Sequence, residues 1–228
     1  MPWTTSSNAA KEFAVSGTNH MMNVESAAAY QDFMAAVKLD PNFTIALVFL
    51  SNLSVGETRN TYAQRAIKSA ANKTEGEKLF ASLVDEKITQ EDRRAIWDKL
   101  HTMFPDGGMI GHFYVITRAT PDERFAAALE YNKKFPDNPG MYNNIAYYYL
   151  NNKKDNIKAK EYFEKYLAKY PNGYNPYDSM GEYYLLNGDL ENSKKYYTMS
   201  LEKYPFNSSS LEALQKMEDD KKKDQVKK

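Results

Sequence analysis

Small and large side chains recur along this chain at fixed distances before a repeated proline. Counting back twelve, eight and five residues from Pro205 reaches Ser193, Tyr197 and Ser200; from Pro41 the same steps reach Ala29, Phe33 and Ala36, and from Pro171 they reach Ala159, Phe163 and Tyr166. Glu75 stands where a further proline is expected, and the steps from it give Ala63, Ile67 and Ala70. Positions so spaced share one face of an α-helix. Ahead of each lies another helical signature, a large residue four positions before a small one: Phe13 and Gly17, Leu47 and Ser51, Tyr142 and Ala146, Tyr177 and Gly181. Antiparallel helices approach to about 8 Å only where side chains are small, so these positions mark helix crossings whose flanks the large residues fill. The proline follows the second helix because it cannot continue the hydrogen-bond ladder. The pattern predicts helix pairs repeating about every 34 residues.

Between Thr74 and Pro136 the pattern degrades. Steps from Pro105 land on Arg93, Trp97 and Leu100, and steps from Pro136 on Arg124, Ala128 and Tyr131, so small residues are lost. Helix-start chemistry persists there: Thr74 with Glu77 and Thr120 with Glu123 have capping-box spacing, and Pro121 takes the favoured first helical position. Each such cap is worth about 1 kcal/mol. Ser209 with Glu212 repeats the spacing ahead of Leu211, Leu214 and Met217, predicting a helix that caps the last apolar face. The expected organisation is a leader or linker over 1–9, helix pairs at about 10–43, 44–73, 74–104, 105–138, 139–173 and 174–207, a capping helix at 208–218 and a mobile basic tail at 219–228.

Three segments carry a resemblance to a known family. PYDSMGEYYLLNGDLENSKKYYTMSLEKYPFN (Pro176–Asn207), FAVSGTNHMMNVESAAAYQDFMAAVKLDPN (Phe13–Asn42) and NNIAYYYLNNKKDNIKAKEYFEKYLAKYPN (Asn143–Asn172) resemble tetratricopeptide repeats, the third with one extra residue in its turn around Asp155 and Asn156. The resemblance implies an all-α, right-handed superhelical solenoid of about six helix pairs plus a capping helix, whose first helices line a concave groove. More narrowly, PWTTSSNAAKEF and NPYDSMGEYYL are similar to bacterial tetratricopeptide proteins that are exported or appended to envelope enzymes.

Composition narrows the function classes. Thirty basic and thirty acidic residues cancel to a formal charge of +0, which disfavours a general nucleic-acid binder. With no cysteine the chain has no disulfide, thiolate metal site or cysteine nucleophile. The most apolar run, Ile45 to Leu50, is far too short for the roughly 20 residues of a membrane span, so no membrane insertion is expected. MPWTTSS leads almost at once into a helix start, as expected of a chain whose leader has been removed, and an exported or periplasmic setting is favoured over a cytoplasmic one. Eighteen tyrosines and 11 phenylalanines suit helices packed in thin layers, where a ring is buried and its hydroxyl reaches a polar partner.

No motif for a reaction, metal or cofactor emerges. His20, His101 and His112 lack metal-ligand spacing, and His20 is expected to be a packed or hydrogen-bonded helix residue. Gly107, Gly108 and Gly111 lack the G-K-[ST] of a phosphate loop, and Asp178 beside Ser179 has no general base. The expected function is a non-catalytic scaffold that holds a protein or peptide in its groove. Two rivals remain: an accessory domain partnering an envelope enzyme, and an enzyme with its site in the degenerate centre between His101 and His112.

By the resemblance, groove residues lie on the first helices, opposite their crossing faces. With Tyr177, Met180, Gly181 and Tyr184 assigned to the core, Asp178, Glu182 and Leu185 remain; one unit earlier the stripe is Asn143, Tyr147 and Leu150. Val48 and Asn52, then Met109, Phe113 and Ile116, extend it towards the N-terminus. Asparagines there can bond main-chain amides, aromatics can cover apolar side chains, and the acids can meet a cation.

Overall fold

The structure, a computed structural model, describes residues 1–226, with side chains described through Lys223. Among the described residues are thirteen α-helices and no strand: α1 (Asn8–Met22), α2 (Ser26–Leu39), α3 (Thr44–Asn52), α4 (Gly56–Ala70), α5 (Glu75–Ser82), α6 (Gln90–Met103), α7 (Gly108–Ile116), α8 (Pro121–Lys134), α9 (Gly140–Tyr148), α10 (Asn156–Lys169), α11 (Asn175–Leu186), α12 (Leu190–Lys203) and α13 (Ser208–Val226). Two compact units divide the chain, Met1–Ala127 and Ala128–Lys228.

In the first unit the small-residue rule is visible as contact geometry. A methyl group added to Gly17 on α1 would stand 2.9 Å from the Phe33 ring of α2. Phe33 begins an aromatic spine: it stacks on Phe49 at 4.6 Å, Phe49 meets Phe80 at 5.5 Å, Phe80 meets Trp97 at 5.8 Å, and Trp97 stacks on Phe113 at 5.3 Å. Trp97 thus fills the aromatic position of a degenerate pair. Phe13, expected beside the α1–α2 crossing, is instead 41% exposed.

The two arginines that break the small-residue pattern have a common role. Arg93, in α6, donates to the carbonyls of Leu83 and Asp85 just past α5, and Arg124 donates to the carbonyl of Arg118 just past α7 at 2.9 Å. Where a small residue would allow close approach, a long guanidinium instead satisfies carbonyls freed at a helix end. Thr120 and Glu123 form the expected reciprocal cap, with backbone to side-chain bonds of 3.0 and 3.2 Å. Thr74 accepts from the Glu77 amide and donates its hydroxyl to the fully buried Glu77 carboxylate at 3.0 Å, but that carboxylate takes the amide and hydroxyl of Thr4, at 2.9 and 2.7 Å, in place of the Thr74 amide. With Thr5 bonded to Asp40 at 2.6 Å and Trp3 edge-on to Phe43, residues read as a leader or linker are docked on the first unit.

His112, on α7, is 4% exposed, and burial lowers its pKa to about 3. The unfolded chain protonates this imidazole near its ordinary 6.5, whereas the folded chain does so only near 3. Its contribution to stability is therefore intact at neutral pH and lost as pH falls through that window, by up to about 1.4 kcal/mol per pH unit. Urea unfolding at pH 7 and pH 5 should differ by about 2 kcal/mol on this account. In His112→Leu the difference should shrink by that amount, and an unchanged pH dependence would refute a neutral buried imidazole.

In the second unit a methyl on Gly181 of α11 would lie 2.7 Å from the Tyr197 ring of α12, repeating the Gly17–Phe33 relation. The extra residue of the α9–α10 hairpin is absorbed earlier than the sequence placed it. A π-helical turn spans Tyr149–Lys153, Lys154 is left-handed with φ 55°, and the Asp155 amide bonds back to the Tyr149 carbonyl at 3.0 Å. Asp155 is then free to cap α10, accepting from Lys158 N at 3.0 Å. The last helix starts at Ser208 and runs on to Val226, beyond the 208–218 read from sequence and into the stretch read as a mobile tail, whose last residues, 227–228, lie outside the described ones. The Ser209–Glu212 capping box does not form, because the helix already begins at Ser208, so that Ser209 lies within its first turn and donates its hydroxyl to Asp178 at 3.1 Å.

Candidate functional site

The α9–α11 face of the second unit gathers the largest group of predicted groove residues. Asn143 and Tyr147 are one helical turn apart on α9, as are Asp178 and Glu182 on α11, so each pair shares a face. The Tyr147 hydroxyl donates to Glu182 Oε2 at 2.5 Å, and its ring stands edge-on to Phe163 of α10 at 5.0 Å. Burial, with the Glu182 carboxylate next in effect, pushes the pKa of this phenol far up, so Tyr147 is a permanent donor at physiological pH. Asn143 is 8% exposed, and its side-chain oxygen is buried without a hydrogen-bond partner. Leaving such an acceptor unsatisfied costs about 1–3 kcal/mol.

Three expected groove positions are not available to a ligand. Asp178 is buried: Ser210 Oγ, Asn207 Nδ2 and Ser209 Oγ donate to its carboxylate at 2.6, 3.0 and 3.1 Å. Its charge faces the first turn of α13, where unpaired amides and the helix dipole favour an anion. Leu150 falls in the π-helical turn, whose winding sends it into the core at 6% exposure. Val48 is fully buried because α3 is enclosed over nearly its whole length.

The remaining positions separate. Leu185 is half-buried and lines a groove between the end of α11, the start of α12 and α13. In the first unit Asn52 is exposed at the end of α3, and Ile116 is half-buried at the end of α7. Phe113 and Met109 pack against the core, with one face of the Phe113 ring taken by Trp97. Sequence reasoning missed the Asp178–Asn207–Ser210 cluster and the complete capping box of Thr89 with Asp92, although the Thr-x-x-Asp spacing was there to find.

The degenerate centre holds a different cluster. His101 stacks on Tyr114 at 4.2 Å, the Arg118 guanidinium lies 4.0 Å from the centre of that ring, and Arg118 Nη2 is 2.6 Å from Asp98 Oδ1. The guanidinium is further held by the Tyr114 carbonyl, on which its Nε donates at 3.0 Å. The cluster is a ring stack closed by an ion pair. His20 bonds Asp32 at 3.0 Å through Nδ1, as a hydrogen-bonded helix residue. Among the described residues no group of three or more His, Asp or Glu could hold a metal, and no helix is long and apolar enough to cross a membrane.

No protein-family model and no curated protein matches the sequence. Solved structures do. PilW, a widely conserved type IV pilus biogenesis factor, aligns over 92% of this chain and 100% of its own with a TM-score of 0.53 and 14% identity. A chain of the APC/C hetero-tetramer Cut9-Hcn1 aligns over 91% of this chain with a TM-score of 0.56 and 13% identity, this chain spanning 42% of its length. Both are tetratricopeptide-repeat proteins, and with the helix pairs, crossing glycines and capping helix described above they identify this chain's fold as the tetratricopeptide-repeat fold.

Proposed function

We propose that the chain is a non-catalytic scaffold that binds a protein or peptide, and that Asn143, Tyr147 and Glu182 receive the partner's main chain. The carrying observation is the buried, partnerless oxygen of Asn143 beside the Tyr147–Glu182 pair. That oxygen is closed to solvent in this conformation, so a ligand N–H reaches it only once the Asn143 side chain turns outwards, whereas Glu182, half-buried and holding one donor, retains lone pairs for another. Contacts of this kind correspond to micromolar affinity, about −8 kcal/mol. An exported setting fits this reading, since the similar fold of PilW belongs to a pilus biogenesis factor.

The test separates binding from folding. Asn143→Ala removes an unsatisfied polar atom, so its melting temperature should hold or rise. Combined with Glu182→Gln it should lose, in affinity capture from the source organism with mass spectrometric readout, at least one partner that the parent chain retains. A double variant that keeps every partner would overturn the assignment.

A further inference from the structure

The groove between α11, α12 and α13 is not part of the face just described. It encloses about 780 Å³, with Leu185, Leu186 and Leu190 on one wall and Ala213, Leu214 and Met217 on the other. Leu186 and Leu190 remain 59% and 58% exposed, an apolar edge that no other part of the described chain covers.

The charges around the groove select an occupant. Lys194, on α12, and Lys216 and Lys221, on α13, line it and form no ion pair among the described residues. Of the two acids lining it, Asp220 is paired with Lys223 at 3.3 Å, leaving Glu218 alone. The cations stand on both walls, and Lys216 and Lys221 are separated by about 7.5 Å of helix rise. A single acidic head group cannot meet charges so spread, whereas rows of carboxylates flanking an apolar stripe can. We propose that this groove docks an acidic amphipathic helix of a partner, its leucine-type anchors entering between Leu190 and Met217 and its Asp or Glu side chains meeting Lys194, Lys216 and Lys221.

Two labelled helical peptides with one leucine stripe, flanked by Glu in one and by Lys in the other, test this by fluorescence anisotropy on the full chain. The Glu-flanked peptide should bind at least about tenfold tighter. Leu186→Ser with Leu190→Ser, both exposed and so harmless to the melting temperature, should weaken it at least about tenfold, and Lys194→Glu with Lys221→Glu should reverse the preference. Asn143→Ala should leave this binding unchanged, which separates the groove from the α9–α11 face. Equal affinity for the two peptides, no binding of either, or full binding by the folded serine variant would overturn the proposal. So would preferential partition of the chain onto anionic vesicles through Leu186 and Leu190, or a stable dimer in sedimentation that the serine variant abolishes.

Discussion

Gly181→Leu is expected to lower the free energy of unfolding by about 3 kcal/mol, at the upper end of overpacking effects. Even a Cβ there would sit 2.7 Å from Tyr197 Cδ1, and the ring has little room to yield because Tyr197 is 3% exposed. The crossing is further pinned by Ser193 Oγ, which donates to the Gly181 carbonyl at 2.8 Å. Gly181→Ala should therefore already cost about 1–2 kcal/mol. The cause can be isolated with a double-mutant cycle, since Tyr197→Leu removes the ring that the new side chain strikes. Gly181→Ala should be distinctly less harmful in that background than in the parent, by at least about 0.5 kcal/mol of coupling. Gly188 provides the contrast: with φ 78° and open space around it, its replacement by Ala strains only the backbone and is expected to cost about 1 kcal/mol. Additive effects in the cycle would mean that the α11–α12 crossing does not depend on that close approach.

What the sequence made legible follows from how local each determinant is. The Gly181–Tyr197 and Gly17–Phe33 contacts join helices within one hairpin, so spacing alone locates them. Thr120 and Glu123 are likewise three residues apart, and their cap was readable. Arg93 and Arg124 were read as lost packing because composition registers the missing small residue but not the carbonyls that a guanidinium reaches at the end of the previous helix. The same limit divides the candidate site. Helical periodicity put Asn143 and Tyr147 on one face of α9, and Glu182 indeed meets Tyr147. It could not foresee that a π-helical turn would rotate Leu150 inward or that the first turn of α13 would close over Asp178. Burial of a groove position depends on the next element, and the spacing of Ser209 and Glu212 suggested a local cap where Ser209 instead bonds Asp178 of α11.

Asp178→Ala is expected to destabilise the second unit by about 3 kcal/mol, chiefly by loosening α13. Hydrogen bonds to a charged acceptor are worth about 1.5–3 kcal/mol each, and Ser209, Ser210 and Asn207 would all lose one. Ser210 is fully buried and Asn207 is 8% exposed, so water cannot readily replace the carboxylate. Asn207 keeps partial support from Ser200 Oγ at 2.9 Å and Ser210 Oγ at 3.0 Å, which keeps the loss below the sum of three separate bonds. Asp178→Asn preserves one acceptor oxygen but turns a donor towards other donors, so it should recover less than half of the deficit. Chemical denaturation measures the total, and amide hydrogen exchange locates it: protection should fall first from Leu211 to Met217, while α9 and α10 keep theirs. Because Leu214 and Met217 form one wall of the lysine-rimmed groove, the same variant should bind the Glu-flanked peptide more weakly even where it remains folded. A variant of parental stability with unaltered exchange in α13 would show that the buried carboxylate is not what anchors this helix, and that its capture by three donors adds nothing to the balance between folded and unfolded chain.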